Sequence, residues 1–126
     1  MEKTLASRTK TILLVDDQDE CRVPTKWFLN NFGFEVDTAR NAEEALVLFD
    51  PHIHDLVITD YSMPGITGAE MAHIIKLRSP STLVMMYTGN APVDRSCLDL
   101  VLEKPNHLLV LKETVDGLFA SRMHAG

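Results

Sequence analysis

The chain has 126 residues, 45% hydrophobic and 24% charged, which fits one compact domain and excludes a disordered one. A formal net charge of −6 argues against the broad basic face that nucleic-acid binding needs. Cys21 and Cys97 are too few for a disulfide framework, and no apolar run reaches membrane-spanning length or forms a secretory signal. Two free thiols in a reducing cytoplasm, with no membrane partner, are therefore expected.

In chain order, residues 11–15 (TILLV) are a short apolar run, the pattern of a strand covered on both faces. The run stops at Asp16-Asp17, and a helical stretch carrying Val23, Trp27, Phe28 and Phe32 follows. Pro24 lies inside it and fits only if the helix starts late or bends there, while Gly33 closes it. Trp27, the lone tryptophan, reads as core. Residues 34–38 are a second strand. Asn41 and Glu44 open a helix to about Phe49, with Ala45, Leu46 and Phe49 inward.

Residues 56–59 form a third strand that ends at Asp60. After the turn Met63-Pro64-Gly65 comes a helix over 67–78, with Met71, Ile74, Ile75 and Ala72 toward the core. A fourth strand, 83–87, carries Met85 and Met86 into the core and ends at Thr88-Gly89. Residues 91–97 have room for only one or two helical turns. A fifth strand, 100–102, ends at Glu103-Lys104-Pro105, and Asn106 opens a last helix with the stripe Leu108, Leu111, Val115, Leu118 and Phe119. Gly117 inside that helix is a weakness of about 1 kcal/mol against alanine. Strands alternating with helices imply an α/β doubly wound domain with a five-stranded parallel sheet and right-handed crossovers.

The chemistry gathers where the strands end. Asp16 and Asp17 follow the first strand, Asp60 the third, Thr88 the fourth and Lys104 the fifth. Ligands of open parallel sheets bind outside the carboxyl ends of the strands. If the order is 2-1-3-4-5, these ends are neighbours about 4.8 Å apart. Two carboxylates about 4 Å apart repel by roughly 4 kcal/mol at an effective dielectric of 20, so a proton or a cation must sit between them. Carboxylate oxygens without His or Cys suit Mg²⁺, and a carboxylate can act as nucleophile to form an acyl phosphate.

The ordered set Asp16-Asp17, Asp60, Met63-Pro64-Gly65, Thr88-Gly89 and Lys104-Pro105 resembles the receiver domain of two-component response regulators. It covers residues 10–121, leaving 1–9 and 122–126 as tails. The resemblance implies the flavodoxin-like 2-1-3-4-5 sheet. It also implies that Asp60 is the phosphoacceptor and that Asp17, Asp60 and the Ser62 carbonyl bind Mg²⁺, with Asp16 acting mainly through water. Thr88 and Lys104 would contact the phosphoryl group, with a cis peptide before Pro105. Such a protein takes its phosphoryl group from a histidine kinase or a histidine phosphotransfer protein and signals by contact with an unknown downstream protein. It is not an enzyme beyond catalysing its own phosphoryl transfer and slow dephosphorylation. Ser62 and Asn90 would border the water that attacks the acyl phosphate.

Two features depart from the family pattern. Val101 stands where an aromatic ring usually couples to the threonine, and the stretch from Thr88 to Lys104 is shorter by on the order of a helical turn. A shortened or irregular fourth helix follows, with the signal leaving by another surface or through residues 89–97. No output domain follows Gly126, so a stand-alone receiver is expected, with a receiver fragment of a hybrid kinase as a close variant. Readings of another class are a non-phosphorylated docking module and an aspartyl phosphohydrolase; the latter lacks its usual Asp-x-Asp at the first strand. His52, His54, His73, His107 and His124 match no zinc spacing and read as surface residues.

Overall fold

A computed structural model of the chain describes residues 9–92, 94–104 and 107–125. Residues 1–8 of the expected N-terminal tail lie outside it, as do Pro105, Asn106 and the side chain of His124. The elements are β1 (Thr11–Val15), α1 (Asp19–Asn31), β2 (Glu35–Ala39), α2 (Ala42–Leu48), β3 (Leu56–Thr59), α3 (Gly68–Arg78), β4 (Leu83–Thr88), β5 (Leu100–Glu103) and α4 (Leu108–Ala125). The strands form one parallel sheet in the order β2-β1-β3-β4-β5. No helix among the described residues is long and apolar enough to cross a membrane.

Because side chains alternate along a strand, the sheet feeds two cores. Ile12, Leu14, Leu56, Ile58, Met85 and Tyr87 meet Leu29 of α1 and Leu111, Val115 and Phe119 of α4. Leu13, Val15, Val57 and Val84 meet Ala42 and Ala45 of α2 and Met71, Ala72 and Ile75 of α3. Met85 and Met86 are fully buried, as the sequence predicts. Asn41 caps α2 by accepting from the Glu44 N–H at 2.7 Å, and Thr67 with Glu70 closes a reciprocal capping box on α3.

The first helix departs from expectation. Thr25 and Leu29 face the sheet, whereas Trp27 is 67% and Val23 59% exposed. Positions two apart on an α-helix differ by about 200°, so burying Thr25 and Leu29 turns Val23 and Trp27 to solvent. The helix starts at Asp19 and runs through Pro24. That residue stands on the exposed side, where water can meet the Glu20 carbonyl that loses its partner. Gly33, with φ +95, takes the chain out of the helix in a conformation that glycine favours.

His54 is also not a surface residue. It is 3% exposed and stacks on Phe49 with ring centroids 6.0 Å apart. Its Nδ1 accepts from the Asp50 N–H at 3.1 Å, which places the proton on Nε2, 2.9 Å from Asp37 Oδ2. Both ring nitrogens are thereby satisfied, and burial costs the imidazole little.

Between β4 and β5 no helix forms among the described residues. Side-chain bonds tie this segment down instead. Asp99 Oδ2 accepts from the Val84 N–H and from Lys76 Nζ, each at 2.8 Å, and Lys76 Nζ also donates to the Thr82 carbonyl at 2.7 Å. One carboxylate thus fastens β5 to β4 and both to α3.

Candidate functional site

Asp16, Asp60 and Lys104 stand one residue past their strands yet remain tied to the sheet by backbone bonds, while Thr88 is the last residue of β4. The Asp16 N–H donates to the Ala39 carbonyl (3.1 Å), the Asp60 N–H to Val15 (3.0 Å) and the Lys104 N–H to Thr88 (2.8 Å). The parallel ladder is therefore continued by one rung, and the side chains leave it at fixed points on one rim. α3 starts against this rim. A Cβ on Gly68 would lie 2.0 Å from the Asp60 carbonyl oxygen, so only glycine permits the approach.

Asp16, Asp17 and Asp60 each offer a carboxylate oxygen within 4.8 Å of the other two, the one such acidic group found among the described residues. Lys104 Nζ lies 2.9 Å from Asp16 Oδ2 and 3.8 Å from Asp60 Oδ2. Three carboxylates against one ammonium leave two uncompensated negative charges in a partly buried space. Such an excess calls for a cation or for protonation. All donors are hard oxygens, with neither His nor Cys among them, which matches Mg²⁺.

Individual oxygens are committed differently. Asp16 Oδ1 accepts from the Gln18 N–H at 3.0 Å and Oδ2 from Lys104, so both of its oxygens are engaged. Asp60 Oδ1 accepts from the Tyr61 N–H at 2.7 Å and from the Thr88 hydroxyl, leaving Oδ2 turned toward the Lys104 ammonium. The Thr88 hydroxyl oxygen accepts in turn from the Asn90 N–H at 3.2 Å. Burial disfavours the Lys104 ammonium, but its hydrogen bond to Asp16 and the charges of Asp16 and Asp60 outweigh this, so its pKa lies above the ordinary lysine value.

All five strand-end residues, Asp16, Asp17, Asp60, Thr88 and Lys104, therefore share one rim. Ser62 and Asn90 are exposed beside it, with Asn90 Nδ2 donating to Ser62 Oγ at 3.4 Å. Val101 is half-buried on β5. Two neighbours were not foreseen. Arg22 donates to the Asp16 carbonyl at 3.0 Å and pairs with Asp19 at 2.5 Å, a contact that the i,i+3 spacing on a helix could have indicated. Tyr87 sets its ring 5.2 Å from Lys104 Nζ on the sheet face opposite α3.

A family model described as the response regulator receiver domain matches residues 12–115. Sensor protein EvgS of Escherichia coli (strain K12) is 34% identical over 114 residues, covering 86% of this chain. The chain spans only 10% of EvgS and 13% of the Vibrio sensor kinase/phosphatase LuxN. Among solved structures, a CheY-like receiver domain protein from Methanospirillum hungatei superposes with a TM-score of 0.88 at 26% identity, covering 94% of this chain and all of that one. TrrA of Thermotoga maritima, solved with Mg²⁺ and BeF, gives 0.79 at 34% identity, covering 87% of this chain and 99% of its own. The same protein in complex with histidine kinase ThkA gives 0.80 at 36%, covering 87% and 98%.

Proposed function

This chain belongs to the response regulator receiver family, and on that footing we propose that Asp60 accepts a phosphoryl group from a histidine kinase or histidine phosphotransfer protein in a Mg²⁺-dependent reaction. The observation that carries the reading is the asymmetric engagement of the Asp60 carboxylate. Two donors hold Oδ1, while Oδ2 faces an ammonium and is the oxygen left to attack phosphorus. The Tyr61 N–H and the Thr88 hydroxyl fix the plane of the carboxylate, which sets the attacking lone pair before a donor arrives. Lys104 is placed to pair with the equatorial phosphoryl oxygens as the phosphoryl group is transferred. The Thr88 hydroxyl can then turn from carboxylate to phosphoryl oxygen.

Asp17, Asp60 and the carbonyl of Ser62 would hold Mg²⁺, with Asp16, whose Oδ2 is paired with Lys104, acting mainly through water. When bound, the ion supplies positive charge that offsets the carboxylates and the incoming phosphoryl oxygens.

The donor would approach over α1. That helix begins two residues after Asp17 and presents Val23 and Trp27 to solvent, an apolar stripe beside an acidic pocket. The TrrA–ThkA complex supports a histidine kinase as the class of partner.

The test is chemical. With Mg²⁺ and acetyl phosphate the chain should gain one labile phosphoryl group, read by intact mass, and Asp60→Asn should gain none. Beryllofluoride should bind only when Mg²⁺ is present. An adduct that survives Asp60→Asn contradicts the assignment. Absence of any adduct or Mg²⁺ binding points instead to a docking module that keeps the receiver fold.

A further inference from the structure

Between α3 and the segment joining β4 to β5 lies a cavity of about 550 Å³, lined in part by Tyr61, Glu70, His73, Asp94, Ser96 and Cys97. Its wall carries a pair of groups that the phosphoryl site does not use. Cys97 Sγ lies 3.1 Å from His73 Nδ1. Cys97 is half-buried and His73 exposed, so the pair can be reached from solvent. Asp94 faces the same space. The Ser96 N–H, then the Ser96 hydroxyl, hold its carboxyl below the ordinary value, and the charge of a protonated His73 adds to this. A sulfur, an imidazole nitrogen within hydrogen-bond reach of it and an open cavity beside both are the parts that a thiol nucleophile needs.

We propose that Cys97, with His73 as its base, is a thiol–disulfide exchange site for low-molecular-weight disulfides. The proton passes from Cys97 Sγ to His73 Nδ1, and the thiolate attacks one sulfur of the disulfide. The new Sγ–S bond forms as the S–S bond of the reagent breaks. The departing thiolate leaves with the proton carried by His73. Cys97 is oxidised and one sulfur of the reagent is reduced, so no further reactant is needed. The cavity lies within the size range that holds small ligands, so the adduct has room beside α3. Cys21, by contrast, sits on α1 in a separate crevice beside Tyr87 and Lys104.

The test uses the full chain carrying Cys21→Ser, with glutathione disulfide at neutral pH and intact mass as readout. One adduct on Cys97 is expected, at a rate that falls about a hundredfold in His73→Ala, the low end for loss of a general base. Free imidazole should restore part of that rate, which a purely structural histidine would not allow. Asp60→Asn should leave the rate unchanged, so the outcome is independent of the phosphoryl reading. Equal rates with and without His73 would overturn the proposal. So would a Cys97 rate no faster than that of Cys21 in Cys97→Ser.

Discussion

Lys104 shows how one residue joins stability to chemistry. Its pKa is raised above 10.5 because Asp16 and Asp60 outweigh the effect of burial. The folded chain therefore holds that proton more tightly than the unfolded chain does. The stabilisation is whole below about 10.5 and is lost as pH rises through the folded value. Burial likewise raises the Tyr87 phenol above 10.0, opposed by the Lys104 charge, and contributes loss of the same sign in the alkaline range. Thermal melts should fall above this range less steeply in Lys104→Met and in Tyr87→Phe than in the parent chain; identical slopes would remove both groups from the account. The site residues were legible because each follows an apolar run that stops abruptly at a polar group. Oxygen-by-oxygen commitments were not, since they depend on rotamers that spacing does not encode. The environment of His54 was hidden for the same reason, because its carboxylate partner Asp37 lies on β2 and its ring stacks on Phe49.

At the scale of elements, strands were read to within a residue: β1, β3 and β4 are buried on both faces and nearly apolar throughout, whereas β2 buries only Val36 and Ala39 and was legible from its place between helices. Helix phase was harder. α1 carries large apolar residues around much of its circumference, and the deciding contacts belong to Thr25 and Leu29. Nor does a short connection announce what replaces a helix; the Lys76–Asp99 bonds cross segments and follow no local pattern. The junction of β3 and α3 makes a sharper prediction. Gly68→Ala drives a methyl group into the Asp60 carbonyl, so strand end and helix must separate. A loss of about 1–3 kcal/mol, as for overpacked sites, is expected from urea midpoints, together with slower acetyl phosphate labelling. Unchanged stability and labelling would mean that the rim yields without moving Asp60.

On the scale of the whole molecule, α1 begins two residues after Asp17 of the acidic rim, so the proposed docking helix starts where the proposed chemistry is placed. Trp27→Ala should slow phosphoryl transfer from a histidine kinase by about tenfold, the loss of a modest interface anchor, while leaving acetyl phosphate labelling intact. Equal losses with both donors would place Trp27 in the fold rather than the interface. The same exposure gives the molecule an optical property. Its single indole is 67% open to water and lies on the face that a protein donor would cover. Intrinsic fluorescence should therefore shift to the blue when the kinase docks and stay nearly constant when a small phosphodonor acts, so the chain reports by its own emission which kind of donor it has met.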